Sequence, residues 1–446
     1  MLVRTPTRVG ERGHSFLYAA MNAVVRHRPD DAAVLRAALS FQDEMRECLG
    51  PAGPASILPV DGHPDTIIAA ARQLHAVGQY RTLLFEGYLA DSVREHSDLF
   101  EALDTEFTAL GVVVLRPSGL VADTWNNKTR FVNFVRGLHG PEATPPGEVL
   151  PVASTENIVA TTRAYLDLTG RAILKITGMG GFGNLIVTRP DLEDGSIERK
   201  VTDFLERRPD VTEVRVESWV RWNQTLCCSF FIDETGEPTP LEVCRQLLSR
   251  ATAGFLGSSS HVDLAPDDRQ ALQKILMPFM TMVAGDGMRG FLAVDVILSD
   301  SAGRPGELRL PISGQAVKLV EANMRINGHN QDRLCVAQIA ARHQRDADRL
   351  DHFKVGANPA GARSRTEAVA LVTEALGGVA APFGSRFDPG SLYFIVTECL
   401  GEGRAHRNDN VLFVGEDVVL DRFESAADCL RARPAQGIVP PSFGLI

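Results

Sequence analysis

The sequence has no apolar run long enough to cross a membrane and no excess of positive charge. Its most apolar stretch, residues 276–285, is about half the length that a membrane-spanning helix needs. Residues 1–15 lack the apolar core of a signal peptide. The count of 46 Lys and Arg against 56 Asp and Glu, a formal charge of -10, argues against a general nucleic-acid or membrane-surface binder. We therefore expect a protein that is neither exported nor embedded.

Cysteine is sparse and follows no metal-binding or disulfide pattern. The seven cysteines are odd in number and include no CxxC and no Cys/His zinc spacing. They are Cys48, Cys227, Cys228, Cys244, Cys335, Cys399 and Cys429. A reducing compartment is the simplest interpretation, so we predict a cytoplasmic protein.

Two common catalytic motifs are also missing. No glycine run is followed by GK[ST], which disfavours a P-loop nucleotide-binding fold. No GxSxG is present, so the nucleophile elbow of serine hydrolases is missing as well. The chemistry has to be sought in other residues.

The length of 446 residues, with 44% apolar and 23% charged, is typical of a globular protein with two or three domains. Short apolar strands at 55–60, 81–88 and 111–118 alternate with amphipathic helices, a pattern that predicts an α/β region with a parallel sheet. Beyond a Pro-rich stretch at 139–151, the pattern of strands and helices is mixed and favours α+β lobes. We predict domains at 1–120, 121–212 and 213–446.

A glycine run at 178–183 satisfies GxGxxG, the pattern of dinucleotide-binding folds. Its distinctive residues are Gly178, Gly180, Gly181, Phe182 and Gly183. A Rossmann loop opens a helix, whereas here the β-favouring segment 184–188 follows at once, so the run is better interpreted as the tip of a β-hairpin. Such a tip can lay backbone N–H groups over the phosphates of a nucleotide, as a flap. An ordinary mobile hairpin is the alternative.

Lys175 stands in the otherwise apolar strand that leads into this glycine run. It could be the solvent-facing position of a half-buried strand, or it could reach the α or β phosphate of a nucleotide as a point charge.

Carboxylates in two strands form the most specific chemical cluster. Alternate residues of a strand share a face, so Glu321, Asn323 and Arg325 are predicted to point to one side. Asp295 lies within an apolar strand and needs a partner or a cation there. Magnesium prefers hard oxygen ligands, which Asp295, Glu321 and Asn323 supply, and Arg325 could neutralise a phosphate beside them. Alternatively, the carboxylates are strand-edge groups bonded to Arg or to backbone amides.

The order Lys128, Lys175, glycine flap, Glu217, Asp295, then Glu321 with Asn323 and Arg325 resembles the ATP-grasp superfamily from about residue 120 onward. Residues 1–120 look like the pre-ATP-grasp domain that precedes the catalytic lobes, with the central lobe at 121–212 and the metal-binding lobe and a C-terminal extension at 213–446. Segments 240–260 and 410–430 look most like the pheganomycin-type peptide ligases.

The resemblance implies an ATP-dependent carboxylate-amine ligase that works through an acyl phosphate and releases ADP and phosphate. Its substrates would be amino acids or peptides in small-molecule biosynthesis, its metal Mg²⁺ or Mn²⁺, and its assembly a homodimer. Lys128 and Lys175 would contact ATP phosphates under the flap, and Arg325 would stabilise the transferring phosphate. Adenine and ribose would bind at Glu217 and at the backbone of Ser218, Trp219 and Val220, and the metal at Asp295, Glu321 and Asn323.

Two departures limit what can be carried over. Many ATP-grasp ligases have Arg two residues before the strand Asp, where this chain has Ala293, so Arg289 is a candidate for the oxyanion and acyl-phosphate contacts. The pheganomycin-type enzymes tend to have Gly-Gly-Thr-Thr-His-Pro after the metal motif, where residues 326–330 differ, so the substrate cannot be copied across. His329 in this segment receives no catalytic role.

Two other function classes stay open. A nucleotide-binding regulatory or scaffolding protein without turnover would account for Ala293 and the altered 326–330 segment, and ATP binding without ADP release would favour it. A nicotinamide-dependent oxidoreductase depends only on the GxGxxG match, and stabilisation by NAD but not by ATP would favour it.

Overall fold

The computed structural model describes most of the chain from residue 117 to residue 431, and short segments outside that range. The short segments are 2–3, 16–19, 72, 82–85, 105–106, 108–109, 111, 113–115 and 438–439. The gaps within 117–431 are 178–183, 210, 249–254, 301–304, 326–328, 330–331, 334–335, 337–338, 341–342, 357, 360–364, 384–386, 397–409 and 417. The described chain divides into two compact units, residues 1–116 with 256–261 and 326–445, and residues 117–255 with 262–325.

The N-terminal strands form a small sheet in the order β1-β2-β3-β4. These strands are Leu2–Val3, Phe16–Ala19, Thr82–Phe85 and Val113–Leu115. β2, β3 and β4 are parallel, with Thr82 opposite Val113, as the alternating pattern predicts. The predicted strand at 55–60 lies outside the described residues, and the strand at 16–19 was not predicted.

The unit of residues 117–255 and 262–325 begins with an antiparallel sheet in the order β5-β8-β6-β7. Its strands are β5 (Gly147–Pro151), β6 (Arg171–Ile176), β7 (Asn184–Thr188) and β8 (Glu213–Ser218). Its helices are α1 (Gly119–Trp125), α2 (Lys128–His139), α3 (Thr155–Thr169), α4 (Arg189–Glu193) and α5 (Ile197–Glu206). α3 and α5 cover one face, where Ile158, Val201, Leu174 and Val216 share a buried apolar core. The opposite face of the sheet is left for polar side chains.

The second sheet of this unit has the antiparallel order β13-β12-β9-β10. Its strands are β9 (Gln224–Ile232), β10 (Pro238–Leu248), β12 (Gly290–Ser299) and β13 (Ala316–Asn323). The long helix α6 (Pro266–Gly285) and α2 pack on one face, where Phe131, Leu276 and Phe279 meet Leu292 and Val294. The core therefore takes the even-numbered positions of β12 and leaves odd-numbered Asp295 on the other face.

A β-bulge in β13 decides which of its side chains share the face of Asp295. The register with β12 shifts between the pairs Asp295 with Glu321 and Val296 with Leu319. Before the bulge the core receives Val317 and Leu319, and after it Ala322 and Met324. The extra residue thus moves the core positions from odd to even numbers, so Glu321 and Asn323 point away from the core.

The other unit is built on the strands β11, β14, β18, β17 and β16, in that order. Their ranges are β11 (Phe255–Ser259), β14 (Leu350–Gly356), β16 (Ala381–Pro382), β17 (Leu392–Val396) and β18 (Asn410–Glu416), with helices α7 (Arg365–Leu376) and α8 (Leu420–Arg431). A two-stranded sheet joins β15 (Asn358–Pro359) to β19 (Ile438–Val439). Helical residues between 329 and 343 bury Val336 and Ile339 against Leu350 and Leu412.

No helix among the described residues is long and apolar enough to cross a membrane. The predicted boundaries at 120 and 212 stay predictions, since the two compact units do not separate residues 121–212 from 213–255.

Candidate active site

The three oxygen-bearing residues that the sequence singles out come together across β12 and β13. Asp295 is directly opposite Glu321, and Asn323 is opposite Ala293. The Asp295 carboxylate interacts with the side chains of both Asn323 and Glu321 by hydrogen bonding. It also accepts a 2.9 Å hydrogen bond at Oδ1 from Nε2 of Gln246 on β10.

The surroundings of the two carboxylates shift their pKa values in opposite directions. Burial, together with the charge of Glu321, raises the pKa of Asp295 to about 7, and Arg325 opposes the rise. Burial also acts to raise the pKa of Glu321, but the charges of Lys128 and Lys175 outweigh it and the pKa is lowered. The cluster therefore has more negative charge than its buried surroundings favour, and a cation would relieve it.

The donor set fits a hard divalent cation. Two carboxylates and one amide offer oxygen atoms from one face of adjacent strands, and Mg²⁺ prefers such ligands. Asn323 is 6% exposed and Asp295 and Glu321 are partly buried, so water has limited access to these oxygens. Mg²⁺ usually keeps several ligand positions for waters and phosphates, which leaves room for a nucleotide.

Lys128 reaches this cluster from the start of α2. Asn127 caps the helix by accepting a hydrogen bond from the Arg130 amide at 3.0 Å, so Lys128 is the first helical residue. Its own amide donates to the Thr177 carbonyl at 2.8 Å, at the end of β6. Its side chain is 3% exposed, and Nζ lies 3.1 Å from Oε2 of Glu321. A buried cation thus already neutralises one metal-ligand candidate.

A second charged cluster occupies the polar face of the β5-β8-β6-β7 sheet. Glu217 is 1% exposed, and its Oε1 accepts from Arg215 Nε at 2.6 Å while its Oε2 lies 2.6 Å from Lys175 Nζ. Arg215 also donates to the Pro145 carbonyl at 3.2 Å. A Cβ at Gly147 would come within 2.8 Å of Glu217 Cγ, so glycine makes room for this carboxylate. Lys175 is therefore a buried, paired lysine rather than a solvent-facing one.

The segment after Glu217 is held at the end of β8. The Ser218 amide donates to the Pro146 carbonyl at 2.9 Å, and the Trp219 amide donates to the Arg171 carbonyl at 3.4 Å. The Arg171 guanidinium lies 4.9 Å from the centroid of the Trp219 ring, which is 4.7 Å from the Trp222 ring. The two backbone hydrogen bonds and the ring contacts hold Ser218 and Trp219, two of the three residues whose backbone is predicted to contact adenine.

The glycine flap, Gly178 to Gly183, lies outside the described residues. The strands on either side of it, β6 and β7, pair antiparallel with Lys175 opposite Asn184. The predicted hairpin is therefore present, with Lys175 at the end of the strand that leads into the flap.

The structure does not bring Arg289 to the carboxylate cluster. Its guanidinium donates to the carbonyls of Ala284, at 2.9 Å, and Met288, at 2.7 Å, at the end of α6. Arg289 precedes β12, and at roughly 3.3 Å per strand residue it is about 20 Å from Asp295 along the chain. Arg325, by contrast, acts electrostatically on both carboxylates.

Two polar residues of the site were not predicted, Gln246 and Arg215. Gln246, on β10, reaches its partner Asp295 across the intervening strand β9, and Arg215 lies two residues before its partner Glu217 on β8. The charge of Arg215 within an alternating strand was a local signal, but Gln246 had none. His329 lies in the other unit, where burial lowers its pKa to about 3.

No protein-family model matches the sequence, and no curated protein matches it. Solved structures are similar in fold. The biotin carboxylase domain dimer of the Hydrogenobacter thermophilus 2-oxoglutarate carboxylase, in complex with MgADP, ADP and bicarbonate, matches with a TM-score of 0.52 and 13% identity over 93% of this chain and 89% of that chain. A biotin carboxylase–β-γ-ATP complex from Campylobacter jejuni matches with a TM-score of 0.50 and 11% identity over 83% of this chain and 78% of that chain. The chain therefore has the mixed α/β ATP-grasp fold that these structures share.

Proposed function

We propose that this protein is an ATP- and Mg²⁺-dependent ligase that joins a carboxylate to an amine and releases ADP and phosphate. The observation that carries the proposal is the juxtaposition of Asp295 and Glu321 with the buried Lys128. The phosphates of a nucleotide are negatively charged, and a divalent cation held by oxygen ligands beside a buried lysine can neutralise them. The nucleotides in both similar structures, β-γ-ATP and MgADP, support the same assignment.

The chemistry needs a good leaving group, because a carboxylate does not react with an amine at neutral pH. An oxygen of the donor carboxylate attacks the γ-phosphorus of ATP, and the bond to ADP breaks. The amine then attacks the acyl carbon, the carbon–oxygen bond breaks, phosphate leaves and the nitrogen loses a proton to solvent. Such transfer depends on positioning and charge neutralisation rather than on a protein nucleophile.

The charged residues of the chain have separate roles in this proposal. Mg²⁺, or Mn²⁺ in its place, when held by Asp295, Glu321 and Asn323, would neutralise the phosphate oxygens. Lys128, paired with Glu321 at 3.1 Å, would then turn to a phosphate oxygen as its carboxylate partner binds the cation. Arg325 would stabilise the transferring phosphate, since it already acts on both carboxylates.

The nucleotide base belongs at the end of β8 in the same proposal. Lys175 would contact a phosphate from the strand that leads into the flap of 178–183, which would exclude water from the acyl phosphate. Glu217 holds Lys175 and Arg215 in place, so its carboxylate acts on the nucleotide through these cations. The backbone of Ser218, Trp219 and Val220 would contact adenine.

We propose amino acids or peptides as substrates, in a cytoplasmic and homodimeric enzyme of small-molecule biosynthesis. The pheganomycin-type segments at 240–260 and 410–430 support this choice. Ala293 is fully buried opposite Asn323, so the donor carboxylate has no arginine at this position, and Arg289 donates to helix carbonyls instead. The donor pocket therefore differs from that of the many ligases with Arg there.

The test is a product assay with ATP, Mg²⁺ and panels of donors and amines. Bicarbonate should be one donor, because one similar structure is a complex with bicarbonate. ADP and phosphate should form only when both a donor and an amine are present. Release of AMP and pyrophosphate would contradict the acyl-phosphate mechanism. A requirement for bicarbonate would show that bicarbonate, rather than an amino acid or peptide, is the donor that ATP activates.

Glu321→Ala gives a sharper test of the site. The variant should fold, as judged by circular dichroism, and should lose turnover because one of two carboxylate ligands is gone. Near-normal turnover in the folded variant would refute the metal assignment.

A protein that binds ATP without turnover is the second candidate, and the buried Ala293 favours it. It predicts saturable ATP binding with no ADP release for any substrate panel.

A further inference from the structure

We propose that Gln246 is a positioning residue that orients the Asp295 carboxylate for cation binding. The inference rests on the proposed function, because it concerns the same metal site. Its basis is the 2.9 Å hydrogen bond from Gln246 Nε2 to Asp295 Oδ1, which joins strands that are not neighbours in the sheet.

The geometry requires Gln246 to reach across β9. In the order β13-β12-β9-β10, Asp295 is opposite Cys227 and Gln246 is opposite Thr225, on the intervening strand. Small side chains at Thr225 and Cys227 leave the space above β9 open to the long glutamine. Thr225 Oγ1 also donates to the Gln246 backbone carbonyl at 2.8 Å, which fixes the base of the side chain.

An amide is the suitable group for this position. Its N–H donates to Oδ1 of Asp295, while the same carboxylate also interacts with Asn323 and Glu321. A lysine here would place a positive charge where the cation binds, and a glutamate would add a third negative charge to the pair. A neutral donor fixes the orientation without either effect, and hydrogen-bonded ligands of this kind are usual around metal sites.

The main test compares Gln246→Met with the matched control Gln224→Met. Methionine keeps the length and volume of glutamine but cannot donate. Gln224 makes a hydrogen bond of the same length, 2.9 Å from Nε2, but to the Asp263 carbonyl, and it does not contact the carboxylates. Each variant therefore loses one hydrogen bond donated by a side-chain amide, both within the same unit, and only the bond of Gln246 is made to Asp295.

The first readout is Mn²⁺ binding in the presence of ADP, measured by electron paramagnetic resonance. We expect Gln246→Met to weaken Mn²⁺ binding about 10-fold or more, and Gln224→Met to leave it unchanged. In turnover assays the Mg²⁺ concentration for half-activation should rise by a similar factor for Gln246→Met, while kcat recovers at high Mg²⁺. Gln246→Asn, an amide too short by one methylene, should behave like Gln246→Met.

Equal Mn²⁺ affinity in Gln246→Met and the wild type would overturn the inference, and so would an equal loss in both glutamine variants. If Gln246→Met does not fold, the result for Gln246→Asn decides in the same way. If the wild-type protein binds Mn²⁺ and ADP but never forms product, the proposed ligase function is refuted. The positioning role of Gln246 is then decided by the Mn²⁺ affinities alone. Wild-type protein that binds no Mn²⁺ would overturn both.

Discussion

Removal of Lys128 should expose the electrostatic strain of the paired carboxylates. The Lys128 side chain is 3% exposed and Glu321 is 15% exposed, with 3.1 Å between their charged atoms. Loss of one partner of a buried ion pair costs about 3–5 kcal/mol, because the other charge is left without compensation. Glu321 keeps some exposure and Arg325 still acts on it. We therefore expect Lys128→Met to lower the free energy of unfolding by about 3 kcal/mol, the lower end of that range.

The loss should depend on the divalent cation. In EDTA, nothing replaces the Lys128 charge, so the whole deficit should appear. With Mg²⁺ present, the proposed site should bind the cation at the carboxylates that Lys128 no longer neutralises, and ligand binding stabilises by about 2.7 kcal/mol at 100 times its Kd. The deficit of Lys128→Met should therefore shrink when Mg²⁺ is added.

Tryptophan fluorescence during urea unfolding is the suitable assay. All 3 tryptophans, Trp125, Trp219 and Trp222, belong to the unit that contains the site. Lys318→Met is the matched control: Lys318 is also a buried, paired lysine, lies on β13 as Glu321 does, and its Nζ is 3.3 Å from Glu307 Oε1. Its deficit should be the same in EDTA and in Mg²⁺.

Two results would refute the reasoning. A deficit of Lys128→Met below about 0.5 kcal/mol, the range of ordinary surface substitutions, would mean that the pair with Glu321 contributes little. A deficit that Mg²⁺ leaves unchanged, as in Lys318→Met, would mean that the carboxylates do not bind the cation.

Three further predictions concern other parts of the molecule. Gly147→Ala would place a Cβ 2.7 Å from the Val216 carbonyl oxygen, so it should lower the free energy of unfolding by about 1–3 kcal/mol and raise the KM for ATP. The control is Gly137→Ala in α2, where the added Cβ meets nothing and should raise the free energy of unfolding by about 0.5–1 kcal/mol. Burial lowers the pKa of His352 to about 3, so its contribution to stability is complete above the unfolded pKa of 6.5 and is lost as the pH falls towards 3. The free energy of unfolding, measured by calorimetry, should therefore fall by about 2 kcal/mol less between pH 7 and pH 5 in His352→Phe than in the wild type. The same fall in both proteins would contradict the burial argument. Arg289→Ala should lower the melting temperature and leave kcat near the wild-type value, because its guanidinium bonds to helix carbonyls, and a large fall in kcat at unchanged melting temperature would restore its predicted catalytic role.

Local pattern was sufficient for several features of the fold. The parallel strands at 82–85 and 113–115 and the hairpin of β6 and β7 follow from short apolar runs and turn residues, which act over a few positions. The strand β5, within the Pro-rich stretch 139–151, was not predicted, because its sequence lacks a strand pattern and the strand forms through pairing with β8. Pairing of this kind is not encoded near the strand itself.

Some features of the candidate site also follow from the local sequence, and others depend on the tertiary structure. By itself, the sequence determined that Glu321 and Asn323 share a face, because residues two apart in a strand always do, and that Asp295 in an apolar strand needs a partner. Only the tertiary structure decided that Asp295 lies opposite Glu321, through the register of β12 and β13, and that Gln246 reaches over β9 to donate to the Asp295 carboxylate. Register and reach depend on which distant strands pair and where a bulge falls, and those are set by packing of the whole core rather than by the residues beside each carboxylate.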